Sequence, residues 1–317
     1  MQIKQAIPTR VKRLARDPMM TIAPRRTAYS RLKAAVPAEP VTFTEKLLHK
    51  MAFDRRPILR TFADRVAVRE YVAERVGGEV LPHLYGVFTD ATDIRWDVLP
   101  EEFVLKASHG SGAVAIIWRG SRRGRQPHPG QLPDWRWRGL IHPDDLDRAE
   151  MARLAGGWLE MSYEMFAAHP EWAYGGIQRQ LVAEELLLNQ EGRLPNDYKF
   201  YVFGGECRAV HVHADRHGDH QTQWLSPAWT RLNGHTTGQV KHSGQIPQPE
   251  NLATMLALAE ELGRGIDFVR VDLYDLGRRV VFGELTNYPN AANAKYDPPK
   301  FDAFLGSTWN LPWHRSS

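Results

Sequence analysis

The stretch VRVDLYDLGRRVVFGELTN, residues 269–287, constrains the fold most. Two apolar runs alternate with period two on either side of Gly277, the pattern of a β-hairpin. In the first run Val269, Val271 and Leu273 point one way, and Phe268, Arg270, Asp272 and Tyr274 the other. In the second, Phe282, Glu284 and Thr286 share a face. With Gly277 as the left-handed turn residue and the turn centred near Arg278, Asp272 and Glu284 stand opposite each other. Like charges directly opposite on a sheet repel, and burying them unpaired costs more still. A cation between them resolves both problems. Two hard oxygen donors with no Cys or His alongside suit Mg²⁺, which is held by one or two carboxylates together with substrate phosphates. The alternative is a structural salt bridge from Arg270 or Arg279. The hairpin alone leaves both readings open.

The chain has 317 residues, enough for two domains or one large α/β unit with subdomains. Its 43% apolar and 25% charged content is ordinary for a soluble enzyme. No run approaches the ~20 apolar residues that span a bilayer, and the N-terminus lacks the apolar core of a secretory signal. Cys207 is the only cysteine, so no intrachain disulfide forms, which fits a reducing cytoplasm. A cytoplasmic location is expected. The net charge of +4 is uneven. From Lys4 to Lys33, nine bases face a single acid, Asp17, and a second basic cluster, WRGSRRGRQPHPG, follows at 118–130. Such runs are solvated tails and loops, or contacts for an anionic polymer or membrane surface. No nucleic-acid partner is expected.

Residues 1–40, with five prolines, read as a weakly ordered, peripheral extension. Helical pattern begins at TFTEKLLHKMAFDRR, with Thr42 or Thr44 as cap and Glu45 in the first turn. A second helix is predicted over 61–77, ending at Gly77–Gly78. VLPHLYGVFTD reads as a strand and turn, and the Trp-rich 131–166 as mostly helical. Strands dominate from about 177 to 287, interrupted by a long polar loop to about 248 and the helix NLATMLALAEELGRG. The chain has no internal repeat. The pattern is that of an α+β or α/β enzyme.

Two further stretches carry chemistry. In FVLKASHGSGAVAIIW, Lys106 ends a strand and Ser108, His109, Gly110, Ser111 and Gly112 form a loop of small residues. Such loops fold over polyphosphate, with a lysine neutralising its charge. The stretch is neither a P-loop nor a dinucleotide fingerprint, and a plain hairpin turn with a chance lysine remains open. In NDYKFYVFGGECRAVHVHADRHGDH, Lys199 sits on an alternating run, and His211, His213 and Asp215 share one face of the next strand. The His-x-His pair is either a metal ligand or a structural, hydrogen-bonded or substrate-facing pair. No third ligand is placed, since His217 and His220 fall in a polar loop. Arg216 is a candidate contact for phosphate or carboxylate. The segment DWRWRGL offers a core cluster or a sugar-stacking surface. The chain shows no serine-nucleophile elbow and no Cys/His protease signature.

These stretches, with ADRVAVREYV, LPEEFVLKASHGSG, VAEELL, DYKFYVFGGE, IDFVRVDLYD, FGELTNYP and FDAFLG in this order, resemble the TupA-like, teichuronopeptide-biosynthesis branch of the ATP-grasp superfamily. The resemblance runs from about Phe43 to Pro312. It departs from the family at Arg65, where lysine is frequent, and at Thr286, where the superfamily usually has asparagine; Asn287 stands beside it.

The resemblance implies an α+β ATP-grasp fold, two α+β lobes closing on a nucleotide, with a helical N-terminal region. It divides the chain into the extension 1–40, a helical α/β region 41–100, a small lobe with the phosphate loop 101–180, and a large lobe with the metal site 181–317. It implies ATP and Mg²⁺ as cofactors. Lys106 and Lys199 would contact phosphates, with the Ser108–Gly112 loop over them. Glu184, Glu185 and the backbone of Leu186 would form the adenine-side hinge. Asp272 and Glu284, with Thr286 or Asn287, would hold the metal. Arg270 would bind phosphate or the acyl substrate, and His213, Asp215 and Arg216 are candidate substrate contacts. The implied activity is an ADP-forming carboxylate–amine ligase working through an acyl phosphate. Its partners would be a small-molecule or glycan carboxylate and an amine, in cell-surface polysaccharide or peptide-polymer assembly. A glycosyltransferase or kinase of such a pathway is the rival reading. A non-enzymatic module for anionic polymers is a second rival, but it has no use for the acid pair and both lysines.

Overall fold

The computed structural model describes residues 18–124, 127, 130–216 and 218–312. Most of the N-terminal basic run, including Lys4, Arg10 and Asp17, and His217 lie outside them. Among the described residues, seven α-helices surround two five-stranded sheets. The extension is helical from Pro18. Helix α1 (Pro18–Ala35) buries Leu32, and Val36 follows it into the core, so the expected peripheral segment does not run to residue 40. Helix α2 (Phe43–Phe53) starts at a capping box: the Thr42 hydroxyl accepts from Glu45 N, and Glu45 returns the bond to Thr42 N.

The single helix expected over 61–77 is two, α3 (Ile58–Ala63) and α4 (Val68–Val76). Asp64 breaks it: its carboxylate accepts from Val66 N and Ala67 N, offering the backbone an alternative to the helical ladder.

Strands β1 (Leu84–Phe88), β2 (Phe103–Ala107), β3 (Val114–Ile117), β4 (Arg138–Ile141) and β5 (Leu181–Glu185) form the first sheet, in the order β1-β5-β2-β3-β4. The sheet therefore takes in residues on both sides of the expected boundaries at 101 and 180. β4 corrects the helical reading of the Trp-rich segment. It pairs parallel to β3, and the helix there is confined to α5 (Arg148–Leu159). Trp135 is buried, edge-on to His109 and Tyr163. Period two divides the labour in β2: Phe103, Leu105 and Ala107 are buried in one core with Met151, Leu154 and Trp158 of α5, while Val104 and Lys106 face the other way.

The second sheet contains β6 (Asp197–Phe203), β7 (Glu206–Ala214) and β8 (Gln221–Leu225). After the short β9 (His235–Thr236) and helix α6 (Leu252–Gly263) it gains β10 (Phe268–Asp275) and β11 (Val280–Thr286), in the antiparallel order β11-β10-β6-β7-β8. β8 lies within the predicted polar loop, where its alternation is masked by Gln and Thr. The short β12 (Tyr296–Asp297) pairs with β9, and helix α7 (Pro299–Ser307) is the last helix of the described residues. One face of this sheet, with Val202, Val210, Val269 and Val271, shares a core with Met255 and Leu262 of α6. The other carries Tyr201, Phe203 and Phe268, packed in an aromatic cluster with Phe43 and Trp309.

A buried ion cluster fixes α2 to this sheet. Lys50 Nζ lies 3.2 Å from Asp54 and 2.8 Å from Asp267, Arg56 bonds both acids, and Trp309 Nε1 donates to Asp267.

Candidate active site

The hairpin forms as its alternation requires. Gly277 has φ +78°, and Asp272 pairs with Glu284 across β10 and β11. The ladder reaches that register through a bulge at Gly283, so Leu273 opposes Phe282. The bulge reverses the side-chain parity of β11. Phe282 therefore packs in the core with Leu273, and does not share the face of Glu284 and Thr286.

The helix-free end of that sheet face confronts the helix-free face of the first sheet across a cleft of about 570 Å³, the size of a small-molecule site. Lys106, Ser111, Gly112, Glu184, Glu185 and Leu186 line it from the first sheet. From the second come Lys199, His213, Arg216, Arg270, Asp272, Glu284 and Thr286. The cleft thus collects most of the residues singled out from the sequence.

The acid pair is bridged by a guanidinium. Arg270 donates from Nε and NH2 to the two Asp272 oxygens at 2.6 and 2.8 Å, and its NH2 also reaches Glu284 Oε1 at 2.8 Å. Lys199 bonds Asp272 and sits 2.7 Å from Asp197. Arg279 is not involved; it pairs with Glu185. The two acids respond in opposite directions, as two close carboxylates must. Burial pushes Asp272 up, against the pull of Arg270 and Lys199. Burial also acts on Glu284, but Arg65, Arg270 and Lys199 together hold it far below the usual carboxylate range.

The glycine-containing loop divides. Lys106 pairs with Glu184, and burial lowers its ammonium pKa against that pull. Ser111 and Gly112 line the cleft, while Gly110 offers its carbonyl to Arg65. Gly112 has φ +96°, and a Cβ there would lie 1.7 Å from the Trp135 carbonyl oxygen, so only glycine allows this close turn. Ser108 and His109 turn away from the cleft. The Ser108 hydroxyl donates to Gln178 O, and His109 Nε2 bonds Trp158 O, where burial lowers its pKa to about 4. They anchor the loop and do not line the cleft.

Asn287 is also displaced. It is buried, its amide donating to Leu59 O, whereas the Thr286 hydroxyl donates to Glu284 at 2.9 Å. Only Thr286 of that pair lines the cleft. Asp215 lies past the end of β7 at φ +45°, its carboxylate accepting from Asp219 N, so it leaves the face of His211 and His213. His211 stacks on Trp224, and His213 bonds His211 and His220. Burial lowers both pKa values, that of His213 to about 2. Among the described residues no group of three His, Cys, Asp or Glu is arranged to hold a metal on its own.

Among the charged cleft residues not singled out from the sequence as site residues are Arg65, Arg138 and Asp197. Arg65 enters through the break at Asp64, 3.5 Å from Glu284; in the sequence it stands out only as a departure from the family, and as a residue read as mid-helix it has no assigned role. Arg138 comes from β4 and has no ion-pair partner among the described residues. Asp197 is held by Lys199 and by Arg216 at 2.7 Å. Its signal was available, since Asp197 and Lys199 share a face two residues apart. Asp197 Oδ1, Arg65 Nε and His211 Nε2 are buried without a hydrogen-bond partner. Such atoms mark places where a ligand completes the bonding.

A family model described as TupA-like ATPgrasp matches residues 45–122 and 145–310. The chain belongs to the TupA-like ATP-grasp family. Its fold is accordingly the α+β ATP-grasp fold. Among solved structures it is similar to the ATP-grasp ligase PsnB complexed with minimal precursor, at 11% identity over 86% of this chain and 66% of PsnB, TM-score 0.41. It is also similar to the D-alanine–D-alanine ligase from Bacillus anthracis, at 13% identity over 77% of this chain and 62% of the ligase, TM-score 0.40. A third is the macrocyclase MdnC bound with precursor peptide MdnA from Microcystis aeruginosa MRC, at 9% identity, covering 96% and 76% of the two chains, TM-score 0.38. The chain thus spans 66% of PsnB's length and 62% of the Bacillus anthracis ligase's. No curated protein matches. Among the described residues no helix is long and apolar enough to cross a membrane.

Proposed function

We propose that this TupA-like ATP-grasp protein is an ATP- and Mg²⁺-dependent carboxylate–amine ligase. The observation that carries the reading is the convergence of Lys106, Lys199, Arg270, Asp272 and Glu284 in one cleft between the two sheets. The donor set fits Mg²⁺: Asp272 and Glu284 supply hard oxygens, and the hydroxyl of Thr286 supports Glu284. Two carboxylates suffice when nucleotide phosphates complete the shell. Bound there, Mg²⁺ would neutralise charge on the transferring phosphoryl group.

The chain's own residues supply the rest. Lys106, Lys199, Arg65 and Arg138 neutralise the phosphates, under the backbone of Ser111 and Gly112. Glu184, Glu185 and Leu186 form the adenine side, and the lobes close over the nucleotide. A substrate carboxylate attacks the γ-phosphorus, giving an acyl phosphate and ADP. An amine then attacks the acyl carbon, and inorganic phosphate leaves. No protein nucleophile is required; positioning and charge neutralisation carry the reaction. Arg216 and His213, beside the phosphate-binding lysine, are placed to receive the carboxylate substrate. The TupA-like family points to cell-surface polysaccharide or peptide-polymer assembly, with amino-acid attachment at a uronic-acid type of carboxylate, on the ATP-containing cytoplasmic side.

The test is thermal stability with ATP plus Mg²⁺, ATP plus EDTA, and UDP-sugars. A ligand that binds only the native state raises the Tm. The expected result is a rise with Mg²⁺ and ATP that is lost with EDTA and in Asp272→Asn. A rise with UDP-sugars alone would replace the ligase by a glycosyltransferase.

A further inference from the structure

Among the described residues six carboxylates line the cleft. Glu184 pairs with Lys106, Glu185 with Arg279, Asp197 with Lys199 and Arg216, Asp272 with Arg270, and Glu284 with Arg270 and Arg65. Glu171 has no cation and no side-chain hydrogen-bond partner among the described residues, yet it is only 5% exposed.

Its position is fixed by its backbone. Glu171 N donates to Glu164 O at 2.8 Å, and its carbonyl accepts from Tyr174 N at 3.0 Å. The following Trp172 is held under the Arg60 guanidinium, 4.2 Å from the ring centre. Tyr163, Tyr174 and Tyr288 line the same cleft as Glu171, and a negative charge on its carboxyl would raise the pKa of all three phenols. The Tyr288 hydroxyl is buried with no hydrogen-bond partner, although the residue lines the cleft. Tyr163 and Tyr174 also lie in the field of Glu284, one of the acids proposed to hold the metal. Asn290 and Ala291, which line the cleft, and Ala292 after them hold three successive left-handed conformations, φ 50°, 49° and 57°. Such backbone is disfavoured for residues with a Cβ, and clusters at ligand sites.

A buried carboxyl without a partner is expensive when charged. Burial accordingly raises its pKa to about 8, which keeps it neutral in the empty cleft. A ligand cation relieves that cost, and the tyrosine hydroxyl supplies a second, uncharged partner. We propose that Glu171 and Tyr288 form the seat for the primary ammonium group of the acceptor. The proposal rests on the ligase reading and adds the chemical class of the second substrate. An ammonium must lose one proton before its lone pair can attack. The Glu171 carboxylate takes that proton. The nitrogen then bonds to the acyl carbon, the bond from that carbon to the phosphate oxygen breaks, and phosphate leaves with the electron pair. The second nitrogen proton passes to solvent.

Wild type, Glu171→Gln and Tyr288→Phe are compared in two assays. In the first, with Mg²⁺ and ADP present, ethanolamine raises the Tm of wild type and not of Glu171→Gln. In the second, ADP release is followed with D-glucuronate and either ethanolamine or hydroxylamine, which is largely uncharged at neutral pH. Glu171→Gln loses about tenfold or more in kcat/KM for ethanolamine, and stays within about twofold for hydroxylamine and in KM for ATP. Tyr288→Phe, which removes one oxygen only, shows a smaller loss in the same direction and covers a Glu171→Gln protein that fails to fold. An ethanolamine response absent from wild type, unchanged in Glu171→Gln, or lost equally for both nucleophiles overturns the amine seat. A wild type whose Tm ignores Mg²⁺ and ATP overturns the ligase reading instead.

Discussion

At the scale of single residues, the cleft and its surroundings contain groups held neutral by burial, and they make stability depend on pH in opposite senses. Glu171 is raised to about 8 from an ordinary 4.5, so the unfolded chain releases its proton first. Its stabilising contribution is complete below about pH 4.5 and is lost as the pH rises through 8. His109 is lowered to about 4 from 6.5, so the unfolded chain takes up the proton first. Its contribution is complete above 6.5 and is lost as the pH falls toward 4. Glu171→Gln should therefore remove the alkaline arm alone. In urea titrations it gains stability over wild type between pH 5 and 8, by a few kcal/mol at about 1.4 kcal/mol per pKa unit, and keeps the acid arm. Alternation with a turn centred near Arg278 set Asp272 against Glu284, but the structure reaches that pairing only through the bulge at Gly283. Alternation could not say that His109 points into a Trp-lined core, because loop side chains follow packing and not periodicity.

At the scale of elements, the hairpins and the loop between β2 and β3 were readable because glycine and alternation are local signals. The break between α3 and α4, the strand β4 and the bulge at Gly283 were not. Asp64 breaks a helix that the apolar spacing continues, and β4 is set by its pairing with β3, not by its own residues. These elements also explain the missed site residues, since the break delivers Arg65 and β4 delivers Arg138. The loop over the proposed phosphates depends on one glycine. Gly112→Ala forces a Cβ onto the Trp135 carbonyl and a disfavoured φ, so the loop must move. Isothermal titration should show ATP affinity falling by about tenfold or more, while far-UV circular dichroism and the core remain those of wild type.

For the whole molecule, the helical N-terminal region is part of the second lobe and not an appendage. Phe43, Trp309 and Phe268 share one aromatic core, and the Lys50–Asp54–Asp267–Arg56 cluster bridges α2 to the start of β10. Removing one partner from such a buried set leaves charge uncompensated. Lys50→Met should destabilise the protein by about 3–5 kcal/mol in urea unfolding. The second basic cluster has a different role. Arg119 pairs with Glu101 and Arg123 with Asp144 and Asp145, so its described part is a surface network.

What the sequence determined was whatever neighbours along the chain decide: the faces of β2, β6 and β10, the turn at Gly277, a cap at Thr42 or Thr44, and a family signature in seven ordered motifs. The tertiary structure decided which of those faces meet. Leu105 and Lys106 are adjacent in sequence, but α5 covers one and leaves the other to the cleft. It set Asn287 against Leu59 and left Thr286 at the acid pair. It also left Glu171 as the one cleft acid without a cation among the described residues. A charge's partner is a matter of distance in space, and the nearest cation need not be near in sequence.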